Sequence, residues 1–189
     1  MTGKFGSSAR EVIADALVRA RAEGTSRIEE EHLFAALLAN PESGPLLGRL
    51  GGPGQAEAAD AVRAEVREAR RRGGLTAGEE QALAGLGIDL DEVVARAEAR
   101  LGAGALDSTP VRARPGRRAS VSPEAVAVLN AAQRQRVARG DRQTTARHLL
   151  LGLLARPGLL AEALAARGIT LATALEAMDG DDPQAAAGR

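Results

Sequence analysis

The sequence predicts an all-α protein, because helix-forming residues dominate it and strand patterns are rare. Of its 189 residues, 41 are Ala and 24 are Leu, while Phe occurs twice and Trp and Tyr are absent. Ala is the strongest helix former, and Leu, Arg and Glu follow it closely. Few segments alternate apolar and polar residues as half-buried strands do. The core is therefore expected to consist of Leu, Val, Ile and Ala carried on helices.

The composition excludes several classes of protein. The chain has no Cys, so it forms no disulfide and no cysteine zinc site. Its one Lys, Lys4, is followed by Phe5, so the Lys-Ser/Thr ending of a P-loop is missing. The 25 basic and 25 acidic residues cancel, which argues against bulk attraction to nucleic acid or anionic lipid. No apolar run approaches the roughly 20 residues that span a bilayer, and the polar N-terminus is unlike a signal peptide, so a cytoplasmic protein without a membrane partner is expected.

Capping residues indicate where the first helices begin and end. Residues 8–11, Ser-Ala-Arg-Glu, have the pattern of a capping box, and Gly24 is typical of the position after a helix. A second helix is predicted over residues 29–39, where three glutamates suit the positive end of the helix dipole and Pro41 prevents continuation. A short third helix is predicted to hold the leucines of residues 46–50.

The middle of the chain predicts three further helices and then a linker. Residues 56–72 have a helical pattern, Thr76 and Glu79 form a capping box that opens a short helix, and Asp89 caps another helix that ends near residue 101. Residues 102–121 are rich in Gly, Pro and Arg, as exposed linkers are. Ser122 followed by Pro123 then predicts a helix start.

Two arginine clusters support an alternative function, a nucleic-acid-binding regulator. They lie at residues 70–72 and at Arg112, Arg114, Arg117 and Arg118. Basic clusters of this kind attract phosphates. Neither has an aromatic neighbour that could stack on a base, so nucleic acid is not the expected partner.

A duplication at a spacing of 116 residues is the most informative feature. The matched positions are inward apolar residues, the glycine after the first helix of each copy, and a His-Leu pair. They include Val12 and Val128, Ala16 and Ala132, Gly24 and Gly140, His32 and His148, Leu33 and Leu149, and Pro41 and Pro157. Two copies of a helical unit that cannot bury its own apolar face should pack against each other. We therefore predict a pseudo-twofold helical bundle with a groove or seam between the copies.

The predicted organisation is one double domain over residues 1–178, followed by a disordered tail at 179–189. Its parts are a first repeat at about 5–54, connecting helices at about 56–101, a linker at about 102–121 and a second repeat at about 122–178.

Residues 31–38 read Glu-His-Leu-Phe-Ala-Ala-Leu-Leu, and residues 147–154 read Arg-His-Leu-Leu-Leu-Gly-Leu-Leu. Both segments resemble the Glu-His-Leu-Leu-Leu-Gly-Leu-Leu signature of a known family, the Clp N-terminal repeat. The openings at Phe5 and Val121 resemble the aromatic-Thr-x-x-Ala start of those repeats. In the family this module stands at the front of the ClpA, ClpB and ClpC unfoldases, where it receives substrates and adaptors, and standalone relatives without the ATPase exist.

The resemblance implies a non-enzymatic protein-binding or peptide-binding module in the bacterial cytoplasm. Its partners would be a peptide, a substrate protein, a Clp unfoldase or an adaptor, and it would act as an accessory, an adaptor or a decoy in Clp-dependent degradation. In ClpC-type modules the Glu of each Glu-His pair holds the guanidinium of phosphoarginine. Glu31 matches that position and Arg147 replaces it in the second copy, so the resemblance implies at most one such half-site.

The candidate ligand-binding residues that follow are Phe5, Glu30, Glu31, Val121 and Arg147. Glu30 precedes the matched Glu, where the family often has Thr. Some ClpC modules also bind cyclic peptide antibiotics through aromatics at the chain start and at the second opening; Phe5 fits that pattern and Val121 departs from it.

No catalytic, metal or cofactor site is expected. His32 and His148 are the only histidines, both lie in the fold-defining motif, and no Cys accompanies them. A nucleophilic site would need a nucleophile, a base and an orienting group at compatible spacing, and the sequence has no such set. We expect each His to be held by local hydrogen bonds to backbone or carboxylate groups.

Overall fold

Helices make up most of the protein in the computed structural model, which describes residues 4–25, 27–50, 55–71, 74–102 and 120–180. The first half contains α1 (Ser7–Ala22), β1 (Arg27–Ile28), α2 (Glu30–Ala39), α3 (Gly44–Arg49), α4 (Gln55–Arg71), α5 (Ala77–Gly85) and α6 (Leu90–Leu101). The second half contains β2 (Ser120–Val121), α7 (Pro123–Arg139), α8 (Ala146–Leu154), α9 (Leu159–Ala165) and α10 (Leu171–Asp179). The predicted all-α fold is confirmed.

The core is shared by the two copies. α1 packs against α2, α7 packs against α8, and α2 also contacts both α7 and α8. One continuous cluster of buried side chains includes Leu33 and Leu37 from α2 and Leu149 and Leu150 from α8. α10 of the second copy packs on α3 of the first, and the connecting helix α4 packs on α9 of the second copy.

The helix boundaries agree closely with the capping signals. Thr76 and Glu79 form the predicted capping box, Asp89 accepts from two backbone N–H groups at the start of α6, and Ser122 caps α7. Gly24 and Gly140 both adopt a positive φ, 76° and 74°, at the C-terminal ends of the matched helices α1 and α7. A left-handed residue here costs Gly little, since it has no Cβ.

Two expectations need correction. The capping box at residues 8–11 is wrong: α1 begins at Ser7, its N-cap is Gly6, and no side chain caps it. The predicted linker also extends too far, because Ser120 and Val121 form a short strand that pairs in parallel with β1. Most of that linker (103–119), residues 51–54 of the first repeat and residues 181–189 of the predicted tail lie outside the described residues.

Candidate functional site

The start of each copy pairs with the other copy at matched positions. Val121 pairs with Ile28, and Phe5 forms a bridge with Thr144. Adding 116 to Phe5 and to Ile28 gives Val121 and Thr144, so the two pairings are equivalent. Ser122 N donates to Ile28 O at 2.9 Å, and Gly6 N donates to Thr144 O at 2.8 Å. We call the surface formed by these two pairings and the helix starts beside them the seam.

The first seam site surrounds the N-terminus of α2. Val121 is 37% exposed beside β1, which ends two residues before Glu30. The carboxylate of Glu30 lies 3.9 Å from Nη1 of Arg156, which also donates to Glu124 O at 2.9 Å. Glu31 is only 8% exposed. Negative side chains at this helix end are favoured by the helix dipole.

The second seam site surrounds the N-terminus of α8. Phe5 is half-buried against the core, and Thr144 N donates to Lys4 O at 2.8 Å. The backbone N–H of Ala146 donates to Oγ of Ser8 at 3.2 Å, so a residue of the first copy caps a helix of the second. Arg147 is half-buried in the first turn of α8.

The five predicted residues therefore divide between the two sites. Glu30, Glu31 and Val121 lie at the first, while Phe5 and Arg147 lie at the second. The sites share one backbone design but differ in charge, since the α2 start carries carboxylates where the α8 start carries Arg147. Their role in ligand binding stays a prediction.

The two histidines are held in the same way in the two copies. Nδ1 of His32 accepts from Glu29 N at 2.9 Å, and its Nε2 lies 3.0 Å from Glu23. Nδ1 of His148 accepts from Thr145 N at 3.1 Å, and its Nε2 lies 2.9 Å from Asp141. The expectation that local hydrogen bonds hold both rings is confirmed.

This arrangement determines the tautomer of the neutral His148 ring. Because Nδ1 accepts a backbone N–H, the ring proton lies on Nε2 and is donated to Asp141. Burial lowers the pKa of His148 below its usual value of 6.5, while the Asp141 carboxylate acts in the opposite direction. The histidine is thus a structural group that fastens the start of α8 to the preceding loop.

Sequence reasoning missed two contributors to the seam. Ser8 was expected to cap α1, yet it caps α8 from 138 residues away. Arg156 matches Asn40 in the duplication, so the repeat pattern gives no signal for a cation there. The spatial proximity of Arg156 to Glu30 and Glu124 becomes visible only in the folded chain.

The described residues contain no group of three His, Asp or Glu side chains that could hold a metal ion. No single described helix is long and apolar enough to cross a membrane. α8 and α9 reach that length and apolar composition only when they are counted together, and they are bent by 95° relative to each other. A cleft of about 720 Å³ lies between α5 and α6. The predicted groove between the copies stays a prediction.

The fold and the paired repeats define a class of protein. The sequence model of the Clp repeat (R) N-terminal domain family matches residues 4–101, slightly more than half of the chain. The chain belongs to this family, whose domains bind substrate proteins and adaptors in Clp systems and are not themselves catalytic. It is accordingly a Clp-associated protein-interaction module.

Two further comparisons bear on the fold. No curated protein sequence matches the chain. A solved structure from preliminary structural investigations of a malarial protein secretion system matches it with a TM-score of 0.59 and 14% identity, over 99% of this chain and 100% of that one. At this identity the similarity shows the fold alone.

Proposed function

We propose that this chain is a non-enzymatic module that binds polypeptide segments in Clp-dependent protein quality control in the bacterial cytoplasm. It would act as an accessory that delivers substrates to an unfoldase, as an adaptor, or as a decoy that competes for the unfoldase's ligands. The observation that carries the proposal is the seam, where two equivalent backbone pairings bring the opening of each copy to a helix start of the other.

The seam offers both apolar and charged contacts to a peptide. Val121 and Phe5 provide apolar surface that is not fully buried, and covering such surface with a peptide is favourable. The carboxylates of the first site favour a cationic side chain, and Arg147 at the second favours an acidic one. The ligand we expect is an extended segment with both charges.

This charge arrangement bears on the ligands that the family resemblance implies. A phosphoarginine guanidinium would find a carboxylate only at the first site, through Glu31. A cyclic peptide antibiotic would find an aromatic ring only at Phe5. We therefore propose unmodified polypeptide as the principal ligand.

A peptide array tests the proposal. The purified full chain is applied to an array of overlapping peptides from unfolded bacterial proteins, together with Glu31→Gln and the control Glu11→Gln. Glu11 lies exposed on α1, so the control removes the same charge away from the seam. We expect wild type and control to bind a common set of peptides that carry both basic and acidic residues, and Glu31→Gln to bind it at least about fivefold more weakly, as for a lost charged contact.

Circular dichroism of each variant separates loss of binding from loss of folding. Binding of no peptide, or equal binding by folded Glu31→Gln and wild type, would remove this site from the proposal.

The nucleic-acid alternative has its own signature, binding to duplex DNA that weakens steeply with salt. Its two arginine clusters fall on side chains or residues that the structure leaves undescribed.

A further inference from the structure

The α5–α6 hairpin repeats the geometry of the α9–α10 hairpin. In each, a glycine after the first helix adopts a positive φ, 79° at Gly87 and 77° at Gly168. The next residue, Ile88 or Ile169, donates its N–H to the carbonyl five residues earlier, at 3.0 Å in both cases. The second helix then starts two residues later. The chain therefore has the same turn geometry at two places.

The matched apolar positions differ sharply in exposure. Ile169 is 2% exposed and Ala174 is fully buried, whereas their counterparts Ile88 and Val93 are 41% and 49% exposed. Val94 is the one buried residue in α5 and α6, both of which are described throughout. The two helices pack mainly on each other. The α5–α6 hairpin thus exposes the positions that the α9–α10 hairpin buries in the core.

The α5–α6 hairpin carries both exposed apolar and acidic side chains. Leu86 and Leu101 are also largely exposed, so apolar side chains extend along the whole hairpin. Exposed apolar patches of this kind mark interaction surfaces. Residues 74–102 hold six acidic and two basic residues, a net charge of −4. Glu80, Asp89 and Asp91 line the cleft between the two helices.

A surface of complementary character lies on α7 and the loop that follows it. Val126 and Val137 are exposed and eleven residues apart, which places them on one helix face three turns from each other. Residues 123–145, which form α7 and this loop, hold four arginines, one Glu and one Asp, a net charge of +2. Arg139 is paired with Asp179 at 3.0 Å, while Arg134 on α7 and Arg142 in the loop are exposed. We call it the α7 surface.

We propose that two molecules of this chain associate: the α5–α6 hairpin of one molecule docks on the α7 surface of the other. The apolar side chains of the hairpin, Val93 among them, would cover Val126 and Val137. The acidic side chains of the hairpin and the exposed arginines of the α7 surface would set the orientation, since opposite charges across an interface steer and align the partners. This inference does not depend on the ligand bound at the seam, so either can fail without the other.

Three exposed valines provide a matched set of variants. Val93→Asp places a charge in the hairpin face, Val137→Asp places one in the α7 surface, and Val18→Asp places one at an exposed position of α1, which belongs to neither surface. Sedimentation velocity of the full chain is measured over a concentration series at about 0.05 M and about 0.5 M salt, which spans weak and strong screening of exposed charges.

The proposal predicts concentration-dependent association that weakens at the higher salt. Val93→Asp and Val137→Asp should each weaken it by about tenfold or more, as loss of an interface anchor does, while Val18→Asp leaves it unchanged. Mixing Val93→Asp with Val137→Asp should restore association, because each supplies the surface that the other lacks. A chain that stays monomeric throughout, variants that match Val18→Asp, or a mixture that remains dissociated would overturn the proposal.

Discussion

Ser122 and Ser8 occupy similar places near the helix starts of the two copies but make different hydrogen bonds. Oγ of Ser122 accepts from Ala125 N at 3.1 Å and caps its own helix, α7. Oγ of Ser8 accepts from the first residue of α8 in the other copy. The first role was predictable because an N-cap acts over three residues. The second depends on tertiary packing, which a local sequence pattern does not contain.

The Ser122 cap gives a prediction for stability. Ser122→Ala should lower the free energy of unfolding by about 1 kcal/mol, since it leaves a buried N–H of α7 without its acceptor. Urea denaturation followed by circular dichroism measures this change. Ser7→Ala, at an exposed hydroxyl of α1, is the control and should change stability by less than about 0.5 kcal/mol. Equal effects of the two substitutions would contradict the capping role.

His148 gives a prediction for pH. Because burial lowers its pKa in the folded state, the unfolded chain takes up this proton more readily. Stability should therefore be complete above the ordinary pKa of 6.5 and decline as the pH falls through that value toward the lower, folded-state pKa. NMR titration of the ring protons, with denaturation at about pH 7.5 and about pH 5.5, tests this in the range where His titrates.

Two variants serve as checks on the pH prediction. His148→Gln should flatten this part of the pH dependence. Asp141→Asn should lower the pKa of His148 further, because the carboxylate is what raises it. Titration of His148 above 6.5 in the folded wild-type chain would show that its surroundings favour the charged ring and would contradict this description.

At the scale of elements, the helix pairs of the two copies approach to different distances. A Cβ added to Gly152 on α8 would lie 2.5 Å from Ala132 N and 2.7 Å from Val128 O on α7. The matched residue on α2 is Ala36, which is buried and does carry a Cβ. α8 therefore lies against the backbone of α7 at a point where the first copy leaves room for a methyl group.

Gly152→Ala should accordingly be strongly destabilising. The added methyl group forces α7 and α8 apart, and overpacking of a core typically costs about 1–3 kcal/mol. Thermal unfolding by circular dichroism measures the loss. Gly48→Ala on α3 is the control: a Cβ there meets nothing within 4 Å, so it should be neutral or stabilise the chain by up to about 1 kcal/mol. An unchanged melting temperature in Gly152→Ala would show that the two helices are not in such close contact.

The elements also show how far the sequence determines the structure. Capping residues such as Thr76, Asp89 and Ser122 gave accurate helix starts, because a cap is a local interaction. The pairing of Val121 with Ile28 was not predicted, since two-residue strands have no periodicity to detect. The outward face of α5–α6 was also missed, because the hairpin has the same turn chemistry as one that is buried.

At the scale of the whole molecule, the duplication specifies one core rather than two. Leucines of α2 and α8 lie in the same buried cluster, and each copy supplies backbone partners to the other. Neither half buries its apolar face alone, so the two halves should fold and unfold cooperatively. Repeat spacing in the sequence was sufficient to predict this, because matched apolar positions imply matched buried faces.

The two histidines allow this claim to be measured directly, since each copy holds one, buried at the matched position. In urea titrations of the full chain at a constant pH above about 7, followed by NMR, the ring signals of His32 and His148 report the two copies separately. A shared core predicts coincident transitions with one midpoint. Two separate midpoints, with one histidine in its native environment while the other is unfolded, would contradict a single pseudo-twofold module.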